Sequence, residues 1–114
     1  MKDDTQNINK FEDKSLLIVD DDNPFRERLA RAMEKKGFKV SQAEGVKKGI
    51  DIVNQINPAF AVVDLRLGDG NGLEVVKQIQ NSNSKSRVVM LTGYGNIPTA
   101  VAAIKQGAID YLSK

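Results

Sequence analysis

The sequence contains no cysteine and no histidine. Without cysteine there are no disulfides, no thiolate zinc sites and no thiol nucleophile. Without histidine there is no Ser-His-Asp relay, no imidazole metal ligand and no phosphohistidine on this chain. An excess of one charge is also missing, because 17 basic and 15 acidic residues leave a net charge of +2. Despite a pI near 8.9, so small a surplus makes no nucleic-acid footprint. The longest basic runs are the dipeptides Lys35-Lys36 and Lys47-Lys48, which read as solvated helix surface. No apolar run approaches the roughly 18 residues of a membrane span, and the polar start is no signal peptide. The sequence therefore reads as that of a soluble, cytoplasmic protein with no membrane partner. Its chemistry must rest on carboxylates, hydroxyls, lysines, arginines and backbone groups.

What is present suits one domain. The 114 residues, 40% hydrophobic and 28% charged, can bury roughly two-thirds of their unfolded surface without staples. Residues 1–14 are polar and read as a flexible leader. Ser15-Leu16-Leu17-Ile18-Val19 is a short apolar run that stops at Asp20-Asp21-Asp22, as expected for a strand buried on both faces. Asn23-Pro24 offers a cap and a first-turn proline. Phe25, Leu29, Ala32 and Met33 then mark a helical face that Gly37 ends. The unit repeats: Phe38 to Ser41 reads as a strand, and Val46, Ile50 and Val53 line a helix that stops before Asn57-Pro58. Ala59 to Val63 is a third strand, ending in Asp64, and the glycine-rich run Gly68 to Gly72 precedes a helix carrying Leu73, Val76 and Ile79. Val88 to Leu91 ends in Thr92, a helix starts near Asn96-Ile97-Pro98, and Ile109 to Leu112 makes a fifth strand before Lys114. Such alternation predicts an open α/β fold, a parallel five-stranded sheet wound on both faces.

The strand ends carry the chemistry. Asp20-Asp21, Asp64, Thr92 and Lys114 all follow successive strands, and in an open α/β sheet functional groups gather at that edge. Each alone has a plainer reading, the acids after the first strand as a helix-cap lead-in and Asp64 as turn chemistry. Together they describe three carboxylates, a hydroxyl and an ammonium on one patch. Three close anions call for a cation among them. A hard divalent ion answers that need, and Mg²⁺ is the usual choice where phosphate is handled.

Leu17-Ile18-Val19-Asp20-Asp21, Val62-Val63-Asp64-Leu65-Arg66-Leu67, Leu91-Thr92-Gly93 and Asp110-Tyr111-Leu112-Ser113-Lys114 resemble the signature blocks of response-regulator receiver domains. The likeness runs over 15–114, and the stretches around Asp64 and Thr92 look most like the RegA/PrrA/ActR group of redox-responsive regulators. The resemblance implies a flavodoxin-like sheet of order 2-1-3-4-5, with the first helix on one face and the next three on the other. It implies that Asp64 accepts a phosphoryl group from a sensor histidine kinase. It makes Asp20, Asp21, Asp64 and the backbone carbonyl of Arg66 the Mg²⁺ ligands, and sets Thr92 and Lys114 on the phosphoryl oxygens. Thr92 and Tyr111 become the switch pair, and Arg66 and Tyr94 flank the path of attacking water. Such a chain assists its own phosphorylation and dephosphorylation and is not a turnover enzyme.

In that family a fifth helix and a DNA-binding domain follow the lysine, so the resemblance implies a receiver truncated before its last helix. DNA contact then belongs to the parent protein and not to this chain. The sheet face that the fifth helix covers, taken to include Leu17, Val19, Ala30 and Met33, is expected to lack cover. The expected consequence is self-association as a homodimer, or a marginal fold. The enzymatic alternative is a haloacid-dehalogenase-type Mg²⁺-dependent phosphatase, with Asp20 as nucleophile in an Asp-x-Asp reading of Asp20-Asp21-Asp22; it leaves Asp64 without a task. A dinucleotide loop at Gly93-Tyr94-Gly95 lacks its third glycine, where Pro98 stands. A calcium loop around Asp69-Gly70-Asn71 lacks an oxygen ligand at Leu73.

Overall fold

The computed structural model describes residues 13–92, 105, 107, 108 and 110–113, with Thr92, Tyr111 and Ser113 placed by their backbone. The main-sheet strands are β1 (Ser15–Val19), β2 (Lys39–Ala43), β3 (Phe60–Asp64), β4 (Arg87–Thr92) and β5 (Asp110–Ser113). The helices are α1 (Asn23–Lys35), α2 (Val46–Ile56) and α3 (Gly72–Ser82). The sheet is parallel throughout in the order β2-β1-β3-β4-β5, the order expected. All five carboxyl ends therefore share one edge. Between β3 and α3, Arg66–Leu67 and Gly70–Asn71 form a two-residue antiparallel ladder.

The two faces of the sheet have separate cores. Leu17 and Val19 of β1, Ala61 and Val63 of β3 and Val88 and Met90 of β4 pack with Val46 and Val53 of α2 and Val75, Val76 and Ile79 of α3. Leu16 and Ile18 face the other way, against Ala30, Leu29 and Met33 of α1, with Phe60 and Val62 alongside. This corrects the expectation that Leu17 and Val19 belong to the face beside α1 and lack cover. Both are fully buried under α2 and α3, and Ala30 is buried too. The physical reason is the period of two along a strand, by which a one-residue shift moves every side chain to the opposite face. Among the described residues, Leu112 on the α1 face, register partner of Leu91, is a large apolar side chain left exposed, at 54%.

Element ends differ from expectation by a residue or two, each for a visible cause. The α1 cap is Asp22, not Asn23: its side chain accepts from the Phe25 N–H at 3.1 Å, and Asn23 is already helical. Phe38 does not open β2, because its N–H still closes the helix end on the Met33 carbonyl at 3.2 Å. Its ring packs edge-to-face on Phe60 with centroids 5.3 Å apart. Gly37, at φ 103°, and Asn57, at φ 44°, take the left-handed conformation that ends α1 and α2. The expected helix near Asn96-Ile97-Pro98 and nearly all of the expected leader lie outside the described residues.

Candidate metal centre

The turn after β1 is closed by its own residues, by the first turn of α1 and by β2, whose Ala43 carbonyl accepts the Asp20 N–H at 3.0 Å. Asp20 is fully buried, and its Oδ1 accepts the Asp22 N–H at 2.9 Å. Asp22 turns its carboxylate to the first turn of α1 as the cap, so of the three consecutive acids it is the structural one. Arg26, one helical turn on, donates from Nη1 to the Asp20 carbonyl at 2.9 Å and to Asn23 Oδ1 at 2.7 Å. Its Nε reaches Gln42 Oε1 of β2 at 3.0 Å. One planar guanidinium thus ties the β1 turn to α1 and to the neighbouring strand.

The turn after β3 is held from farther away. Asp64, 5% exposed, accepts the Arg66 N–H on Oδ1 at 3.4 Å. The Leu65 N–H donates to the Leu91 carbonyl of β4 at 2.9 Å, and the Gly72 N–H to the Leu65 carbonyl at 2.7 Å. A Cβ at Gly72 would fall on the Asp64 carbonyl oxygen, so glycine is required by this backbone contact. Asn71 caps α3 in a capping box with Glu74, its Oδ1 accepting the Leu73 N–H at 2.8 Å.

One carboxylate oxygen from each of Asp20, Asp21 and Asp64 lies within 4.8 Å of the others. Asp20 and Asp64 are buried and Asp21 is exposed. The cluster joins two residues from one turn to one from a strand 44 residues later, and parallel pairing of Val19 with Val63 brings them together. Its donors are all hard oxygens, mutually repulsive when ionised. They fit a hard divalent cation and suit neither a thiolate nor an imidazole metal.

Thr92 ends β4 one residue past Leu91, the register partner of Asp64, and so stands at the same sheet edge by its backbone. Tyr111 pairs with Met90 and Ser113 with Thr92. Arg66 is exposed in the turn beyond Asp64. Lys114 and Tyr94 lie outside the described residues.

A residue that sequence reasoning left without a role stands beside this cluster. Asp69 Oδ1 accepts the Val46 N–H at 2.7 Å and Oδ2 the Lys47 N–H at 3.1 Å, at the start of α2. These two bonds hold its carboxyl below the ordinary carboxylate range. Asp21, Glu44, Gly45, Gly68 and Asp69 line an open recess of about 290 Å³. The sequence did hold a signal: α2 begins after Gly45, which has no side chain to cap it, so its amides need an acceptor from elsewhere.

A family model described as response regulator receiver domain matches residues 16–114. The chain is 62% identical over 102 residues to the photosynthetic apparatus regulatory protein RegA of Rhodobacter capsulatus, covering 90% of this chain and 55% of the relative. It is 58% identical to the acid tolerance regulatory protein ActR of Sinorhizobium medicae, covering 90% and 53%. The chain therefore spans about half the length of these relatives. A crystal structure of a response regulator from Burkholderia pseudomallei, with a phosphorylated aspartic acid, calcium ion and citrate, superposes with a TM-score of 0.84. That match has 37% identity and covers 90% of this chain and 60% of the other.

Proposed function

The chain belongs to the response regulator receiver domain family, and on that premise we propose that Asp64 accepts a phosphoryl group from a sensor histidine kinase. The observation that carries this reading is the cluster of Asp20, Asp21 and Asp64 at one sheet edge. Asp64 is the member that ends the central strand β3, with its carboxylate oriented by the Arg66 N–H. A carboxylate needs no general base, so the lack of histidine is no obstacle. The Asp64 oxygen bonds to phosphorus while the bond from phosphorus to the donor imidazole nitrogen breaks, and the leaving imidazole keeps that electron pair.

Asp20, Asp21, Asp64 and the Arg66 backbone carbonyl would hold Mg²⁺, which neutralises negative charge on the transferring group when bound. Thr92 and Lys114 would contact the phosphoryl oxygens, and Thr92 with Tyr111 would relay the change toward β5. The Burkholderia relative, which holds a phosphorylated aspartic acid and a calcium ion, supports phosphorylation on an aspartate in a protein of this fold. The chain is a phosphoacceptor and not a turnover enzyme. The names of RegA and ActR support a regulatory parent, and the transcriptional regulatory protein FixJ of Azorhizobium caulinodans, 34% identical over 97 residues, supports one that acts on transcription. DNA contact then falls to parts of the parent outside this chain. Among the described residues no helix is long and apolar enough to cross a membrane, which accords with a cytoplasmic setting.

The test is incubation with acetyl phosphate and Mg²⁺ followed by intact mass. The unsubstituted protein is expected to gain one phosphoryl group and Asp64→Asn none. A phosphoryl group or a beryllofluoride adduct on Asp20 would instead support the phosphatase alternative.

A further inference from the structure

The ladder between β3 and α3 is only two residues long on each side. An isolated two-stranded hairpin is marginal in water even when longer, so the turn needs other support. At its tip, Gly68 approaches the β1 turn closely enough that a Cβ there would lie 3.8 Å from Asp21 Oδ2. The next residue, Asp69, reaches across 22 and 23 residues of sequence to the first two amides of α2. Both oxygens of one carboxylate are thereby engaged by backbone donors that α2 cannot satisfy itself. Gly45 makes room for this, since a Cβ there would stand 2.6 Å from Asp69 Oδ1.

We infer that Asp69 is a positioning residue for the metal centre: its carboxylate latches the β3–α3 turn to the start of α2 and so fixes that turn against Asp21. The inference rests on the proposed function, in which the same turn supplies the Arg66 carbonyl to Mg²⁺. Arg66 is paired with Asn71 in the ladder whose tip the latch holds. Losing the latch frees the tip, and with it the pairing that keeps the Arg66 carbonyl in place. Asp69 itself stays committed to the two α2 amides and acts through the turn, not as a ligand.

Removal of a nearby negative charge would also weaken a cation site, so the decisive variant breaks the latch and keeps the charge. Gly45→Ala does this: Gly45 sits at φ −158°, an extended conformation that alanine adopts freely, and its methyl displaces the Asp69 carboxylate. In the intact protein, Mg²⁺ titration by calorimetry is expected to show about tenfold weaker binding for both Gly45→Ala and Asp69→Ala, the lower end of what outer-shell losses cost. Asp69→Asn sheds the charge but keeps one acceptor oxygen, and is expected to lose about threefold, one net hydrogen bond. Without Mg²⁺, amide exchange at Val46 and Lys47 should speed up in Gly45→Ala and Asp69→Ala. Gly45→Ala that exchanges faster yet binds Mg²⁺ as the unsubstituted protein does would overturn the latch. So would Asp69→Asn falling as far as Asp69→Ala while Gly45→Ala binds normally, the signature of charge alone. Failure of the unsubstituted protein to bind Mg²⁺ would overturn the reading of the site, and the latch with it.

Discussion

The turn after β1 carries three consecutive acids and is held by the helix it leads into and by its neighbouring strand, whereas the turn after β3 has one acid at the strand end and is tied also to a helix earlier in the chain. In the first, Asp20 bonds two residues ahead, Asp22 three ahead, and Arg26 reaches back six. In the second, Leu65 leans on β4, Gly72 packs against the Asp64 backbone, and Asp69 crosses to α2. The first turn is therefore set once α1 has formed and β2 lies beside it, with Gln42 and the Ala43 carbonyl as its outside contacts. The second is complete only when β4 and α2 are both docked. A site assembled from both has a locally fixed half and a half whose geometry depends more on the rest of the fold, and Asp64, the proposed acceptor, stands in the second.

The largest expected effect breaks the fixed half. Asp21→Ala removes the exposed member of the carboxylate cluster and should abolish Mg²⁺-dependent labelling by acetyl phosphate while leaving the fold intact. Full labelling of that variant would show that the β1 turn does not serve the cation. Next is Gly72→Ala in the assembled half. Its methyl would overlap the Asp64 carbonyl oxygen and press on Val63, and because both obstacles are buried the helix start must move. A loss of about 3 kcal/mol in urea unfolding is expected, the upper end of overpacking costs. Slower phosphorylation should accompany it, since the displaced carbonyl belongs to Asp64, the proposed acceptor. An unchanged unfolding midpoint would mean that the turn yields at little cost.

The same contrast decides what the sequence made legible. The strands and the cluster of Asp20, Asp21 and Asp64 can be read from the residues, because unbroken apolar runs mark buried parallel strands and acids at their ends must meet at one edge. The strand order comes from the resemblance to receiver domains. The split among Asp20, Asp21 and Asp22 is half legible: the run of acids stands out, but Asn23-Pro24 reads as the cap. An acid and an amide cap equally well, and only the backbone shows which residue stands just outside the helix. The face of Leu17 and Val19 was misread because unbroken apolar strands lack the alternation that marks a side. Asp69 was missed for another reason. Its partners lie 22 and 23 residues upstream, a separation no local pattern encodes, and its glycine neighbours made the segment look like an ordinary turn.

A smaller effect separates neighbours within the β1 turn. Asp22→Ala removes the α1 cap and should cost about 1 kcal/mol, a fall of about 4 °C in Tm, with Mg²⁺ affinity retained. Asp21→Ala should do the reverse, sparing stability and losing the ion. If Asp22→Ala weakens Mg²⁺ binding as much as Asp21→Ala does, the division of labour among the three acids is wrong.

The smallest effect concerns the ionisation of Asp69. The N–H groups of Val46 and Lys47 favour its charged form, so its folded-state pKa lies below the ordinary value of 3.8. A group depressed in this way contributes stability above its unfolded pKa, and that contribution disappears as pH falls through the folded value. The stability difference between the unsubstituted protein and Asp69→Asn should accordingly be flat from neutral pH down to about pH 4, and shrink only below it. Because the carboxylate is exposed to solvent, the difference itself should be small. The direct measurement is the carboxyl carbon shift of Asp69 against pH in an isotope-labelled sample. A midpoint below 3.8 is expected, moving back toward that value in Gly45→Ala, where the methyl displaces the carboxylate from the two amides. A midpoint at or above 3.8 in the unsubstituted protein would mean that the bonds to α2 are not held in solution, and the turn after β3 would then, like the turn after β1, lean only on its neighbouring strand and the helix it leads into.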